Sequence, residues 1–175
     1  MDLLGILIIV SAVGVLLLFW IVVGIRHLKF LLKALDEQWE NVMGSLRKRQ
    51  DLIPNLIETI KIYGVGDDKL VEEIINHRVI TAKHSSPDSQ KTELERKLGG
   101  YIGKVLEMGR ENKDLGIDTN FLELRKEIKD YEQNALHQTS KYNDMVEYYN
   151  YHRRFPLLRP ISSIFGFYHR GVFEL

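Results

Sequence analysis

The chain has no cysteine. That excludes disulfides, thiolate metal sites and a cysteine nucleophile, although it does not reveal which side of a membrane the protein faces. Net charge is also missing: 24 Lys and Arg balance 24 Asp and Glu, which argues against a strongly basic nucleic-acid binder. Charge is absent altogether from residues 3–25, LLGILIIVSAVGVLLLFWIVVGI. The mean hydropathy of −0.17 therefore averages a very apolar end with a polar remainder of one domain's length.

The apolar run has 23 residues and as a helix reaches about 35 Å, enough to span a hydrocarbon core of roughly 30 Å with some tilt. A cleaved signal peptide needs a basic start and a shorter apolar stretch, so the run reads as an uncleaved anchor. Asp2 is the only side-chain charge before it, whereas Arg26, Lys29 and Lys33 follow it. The positive-inside rule then places the amino terminus outside and the following domain in the cytoplasm. Trp20 stands near the basic end of the run, where an aromatic belt is expected. Gly5, Gly14 and Gly24 are never four apart, so no GxxxG dimer face exists. No ionisable residue offers an ion path through a single copy.

Beyond Ile25 the apolar residues keep a 3-4 spacing: Leu28, Leu32, Leu35, Trp39, Val42, Leu46, then Ile53, Leu56, Ile60 and Tyr63, with Arg49 as the one interruption. This predicts one helix from the membrane to Tyr63 with a single seam, ended by Gly64 and Gly66. Pro54 removes a hydrogen bond to the Gln50 carbonyl without a change of phase, so a kink is expected there. A second helix over 68–84 is capped by Asp67 and buries Leu70, Val71, Ile74, Ile75, Val79 and Ala82. A third starts with Ser86 as cap before Pro87 and shows Leu94, Leu98, Tyr101, Val105 and Met108. Gly99, Gly100 and Gly103 within it point to close helix approach. After the loop at 112–120, with Asp118 or Thr119 as cap, a fourth helix runs to the stop at Pro156.

The expected fold is all-α: an N-terminal transmembrane helix continuing into an elongated antiparallel, up-down bundle of about four helices. Its parts are the anchor, 1–25, the bundle, 26–155, and an aromatic tail, 156–175. Four antiparallel passes bring that tail back to the membrane. There Phe165, Phe167, Tyr168 and Phe173 either enter the interface or close the bundle core, and Trp20, Arg26 and Lys29 are the matching interfacial candidates at the anchor.

The block KRQDLIPNLIETIK, residues 48–61, resembles the diagnostic segment of the LemA family of prokaryotic single-pass membrane proteins, with Arg49, Asp51, Leu52, Pro54, Asn55, Leu56 and Glu58 in the family's places. NFLELRKEIKDYEQNALHQTSKYNDMVEYYN, residues 120–150, is similar to its last helix, and FPLLRPISSIFGFYHRGVFE, residues 155–174, to its tail. The resemblance implies one amino-terminal anchor, an outside amino terminus and a helical cytoplasmic bundle. It imports no enzyme, and some relatives are linked to organising internal membranes.

Chemistry is hard to place on the sequence. A di-iron bundle needs Glu-x-x-His on two helices, and none occurs. Glu73 and His77 share a face but make a solvated pair rather than a metal site. Gly99-Gly100-x-x-Gly103-Lys104 lacks the P-loop ending, and no elbow presents a serine. Arg47-Lys48-Arg49 beside Asp51 reads as a solvated face. The expectation is a protein that is not an enzyme, with no catalytic, cofactor-binding or metal residues. It is a scaffold or interaction module whose partners are the lipid bilayer, an unidentified protein or a second copy, and no nucleic acid. The alternative is an accessory subunit of a membrane protease or transporter complex.

Overall fold

A computed structural model describes residues 2–156 and 158–175, and among these there is no strand. The elements in order are α1 (Leu3–Asp51), α2 (Ile53–Ile62), α3 (Asp68–Lys83), α4 (Ser89–Glu111), a 3-10 turn (Leu115–Ile117), α5 (Thr119–Arg153) and α6 (Arg159–Ile164). The fold is all-α, as the apolar spacing predicts.

The chain forms two compact units. One comprises the residues up to Glu37 with Asp144–Arg170; the other comprises Gln38–Asn143 with Gly171–Leu175. In the first, α1 and α5 run antiparallel, with Trp20 against Phe155 and His27 against His152, and bury Leu28, Leu35, Val146 and Tyr149. In the second, four passes enclose a core that includes Ile53, Leu56, Ile60, Leu70, Ile74, Leu98, Val105, Phe121 and Ile128. Side-chain bonds from Gln38 to Gln138, from Asn134 to Ser45 and from Tyr63 to Asp118 fix the antiparallel register of α5 against α1 and α2.

Between α1 and α2 only Leu52 leaves the helical pattern, and its angles, φ −82° and ψ −14°, remain right-handed helical. The two are thus one continuous helix in backbone terms. Pro54 supplies no N–H for the Gln50 carbonyl, and that oxygen instead accepts from Arg78 Nε of α3 at 2.9 Å. The end of α2 is a Schellman arrangement. Gly64, at φ +64°, donates to the Lys61 carbonyl, and Val65 donates to that of Ile60 at 2.9 Å.

Four expectations need correction. In α3 the first turns bury Leu70, Val71 and Ile74, but Ile75, Val79 and Ala82 are exposed and Thr81 is buried instead. The start of α4 is capped by Asp88, whose carboxylate accepts from Lys91 N at 2.8 Å, and not by Ser86. Its buried seam is Lys91, Glu95, Leu98, Ile102 and Val105, so Leu94, Tyr101 and Met108 lie only at its margin. Nor do Gly99, Gly100 and Gly103 mark a close approach. A Cβ at Gly100 or Gly103 would meet nothing within 4 Å, and one at Gly99 would meet only Arg49 Nη1 at 3.7 Å. The tight position is Gly109, where a Cβ would lie 2.4 Å from the Phe121 ring.

Helix starts supply a pH prediction. Asp118 accepts from Phe121 N at 2.8 Å and from the Tyr63 hydroxyl at 2.9 Å, and these bonds, the backbone one foremost, hold its carboxyl below the usual range. Asp88 is likewise lowered, first by the Lys91 N–H and then by His84. A carboxyl with a depressed folded pKa stabilises above its unfolded value, near about 4, and the contribution disappears as pH falls through the folded value. Melting temperature should therefore fall between pH 5 and pH 3, and the double variant Asp88→Asn, Asp118→Asn should show a shallower fall. Equal slopes for the two proteins would show that these caps do not govern acid sensitivity.

Candidate functional site

Where α1 ends, the 3-4 seam delivers Arg49 and Gln50 into the interior of the second unit, facing α4. Arg49 is 3% exposed, Glu95 1% and Lys91 0%. Glu95 accepts from Arg49 Nη2 at 2.6 Å on one oxygen, and from Lys91 Nζ and Gln50 Nε2, each at 3.0 Å, on the other. Lys91 also donates to the Thr81 carbonyl at 2.8 Å. Glu132 of α5, half exposed, lies 3.6 Å from Arg49 Nη1. Two cations thus meet two carboxylates across three helices. The expectation of a solvated Arg47-Lys48-Arg49 face is wrong for Arg49, because residue 49 stands in the apolar seam of α1.

Burying charge is tolerable only when pairing and hydrogen bonding compensate for lost water. Both oxygens of Glu95 are engaged and Lys91 is held on two sides, so neither offers a free base or nucleophile. Two clefts, of about 240 and 250 Å³, open beside the cluster and share Arg49, Gly99 and Glu132. Among the described residues no three His, Asp or Glu side chains could hold a metal ion together. His77 accordingly turns inward: its Nδ1 meets the Glu73 carbonyl at 3.0 Å and its ring packs on Tyr101. The arrangement can lock the register of α1, α3 and α4.

In the first unit the end of the apolar run is built differently. One helix among the described residues, beginning at Leu3, is long and apolar enough to cross a membrane, and its apolar stretch is unburied. Trp20 is about half exposed, with its ring centroid 5.9 Å from that of Phe155. Leu158 packs directly over Gly24, where a Cβ would press on the end of its side chain. Arg26 and Lys29 are exposed.

The tail candidates separate. Phe167, 3% exposed, is packed in the first unit, while Phe165 at 55% and Tyr168 at 74% stand in solvent. Tyr168 is nevertheless held through its backbone, whose carbonyl accepts from the Tyr149 hydroxyl at 3.1 Å. Asn150 bonds both the carbonyl and the N–H of Arg170, whose guanidinium lies 3.8 Å from Asp36. Phe173 belongs to the second unit. It is buried against Trp39 at 5.0 Å between centroids, and Asn143 bonds its N–H and its carbonyl. The tail thus has Leu158 beside Gly24 in the first unit, and Phe173 against Trp39 in the second.

Sequence reading missed the Lys91-Glu95 pair, although a signal existed. The two are four apart and in phase with Leu98, Ile102 and Val105, the positions of a buried stripe. No curated protein matches the chain. The sequence does fit the family model described as LemA family over residues 38–175, which leaves the apolar run outside the match and takes in both the buried cluster and the tail. Since that match spans well over half of its length, the chain belongs to the LemA family.

Proposed function

We propose that this protein is a non-enzymatic, membrane-anchored scaffold or interaction module at the cytoplasmic membrane surface. The observation that carries the reading is the continuity of α1, in which the apolar run and the core residues Trp39, Val42 and Leu46 belong to one helix without a linker. Arg26, Lys29 and Lys33 after the run support a cytoplasmic domain. The engaged side chains of Glu95 and Lys91 support a structural role for the polar core. The exposed strip of Ile75, Val79 and Ile80 on α3 supports contact with a protein partner or a second copy.

Because the chain has no cysteine, single cysteines report topology directly. In intact cells an impermeant thiol reagent should label Asp2→Cys and spare Arg110→Cys; the opposite pattern would reverse the orientation. A native-detergent pull-down then tests the role. Self-association or a non-catalytic partner is expected, whereas a stoichiometric protease or transporter would make the protein an accessory subunit.

A further inference from the structure

The turn from α5 to α6 gathers Arg153, Arg154 and Arg159 around a cavity of about 430 Å³ whose lining contains no carboxylate. Arg154 and Arg159 are exposed. Arg153 donates from Nη1 to the Phe167 carbonyl at 3.3 Å, while its Nε is buried without a hydrogen-bond partner. Residues interleaved with these arginines line an apolar groove of about 290 Å³: Tyr151, Phe155 and Leu158 on one side, and Trp20, Val23 and Gly24 of the anchor on the other. Groove and basic cavity both lie within the first unit.

We infer that this turn is a binding site for an anionic phospholipid, with an acyl chain in the groove and the headgroup phosphate on Arg153, Arg154 and Arg159. Guanidinium groups bind phosphate through paired, charge-assisted hydrogen bonds, and those of Arg154 and Arg159 are exposed to form them. The contact of Phe155 with Trp20 sets the groove at the basic end of the apolar run, the depth at which a bilayer presents its phosphates. A free phosphate would use the arginines but not the groove; an amphiphile uses both. The assignment rests on the membrane reading above.

The test uses the full chain in an uncharged detergent, titrated with dioctanoyl phosphatidylglycerol, dioctanoyl phosphatidylcholine or inorganic phosphate, with tryptophan fluorescence and melting temperature as readouts. Wild type should bind the phosphatidylglycerol saturably and at least tenfold more tightly than the phosphatidylcholine. Removing a basic side chain near anionic lipid weakens binding about fivefold, so Arg154→Gln with Arg159→Gln should weaken it about thirtyfold. Lys126→Gln with Lys129→Gln, exposed on α5 in the other unit, removes the same charge and should leave the affinity unchanged. Equal affinity for the two lipids, an equal loss in both double variants, or inorganic phosphate binding as tightly as the lipid would each overturn the assignment. Carbonate-resistant sedimentation of the same variants reports anchoring separately, so failure of the lipid site and failure of the membrane reading give different results.

Discussion

Replacing Glu95 by Ala should be among the most damaging single changes in the protein. The substitution leaves Arg49 and Lys91 buried without their shared carboxylate, and breaking a buried pair from one side costs about 3–5 kcal/mol. For a chain of this length that corresponds to a fall in melting temperature on the order of 10 °C. Glu132→Gln is the contrasting variant. It removes the same charge from the same arginine, but at a half-exposed position 3.6 Å away, where an ion pair contributes about 1 kcal/mol or less. Thermal unfolding of both variants in the same detergent decides the matter. Similar small shifts would mean that the cluster is solvated and that the register of α4 against α1 is held by apolar packing alone.

Phe173→Ala should be nearly as costly, at about 3–5 kcal/mol, because truncating a fully buried aromatic leaves a cavity that its neighbours fill only in part. Here the ring lies against that of Trp39. Trp39 is itself fixed by its Nε1–H bond to the Ser85 carbonyl at 2.7 Å and by Tyr142, so it cannot turn into the space. Loss of the ring should also free the last residues, and limited proteolysis should then remove them while the four long passes persist. Asn143→Ala should give the same proteolytic signature with a smaller thermal shift, since it breaks two backbone bonds but keeps the ring. A C-terminus equally protected in wild type and Phe173→Ala would show that Phe173 does not anchor the tail.

Much of the architecture was legible because it depends on local periodicity. The long apolar helix, the helical nature of the four segments up to Pro156, the caps Asp67 and Asp118 and the glycine stop after Tyr63 follow from residue type and spacing within a few turns. Failures lie where a polar residue occupies a core position. Building the seam of α4 from apolar residues alone left out Lys91 and Glu95 and put Leu94, Tyr101 and Met108 in it. The same preference for apolar residues assigned Ile75 and Val79 to the core and left Thr81 out. Arg49 was seen as an interruption of the seam, although it is a member of it.

By itself the sequence determined that this is an all-α protein with one apolar segment long enough to cross a membrane, because helix period, chain-breaking residues and transfer of apolar side chains are properties of short stretches. Tertiary structure alone decided which charges are buried together, which aromatics of the tail pack and which stay exposed, and where the Gln50 carbonyl finds Arg78. Those outcomes join residues far apart in the chain, Gln50 with Arg78, Arg49 with Glu95 and Trp39 with Phe173. The cost of burying Arg49 is met by a partner on another helix, and no spacing within one segment can show that the partner is there.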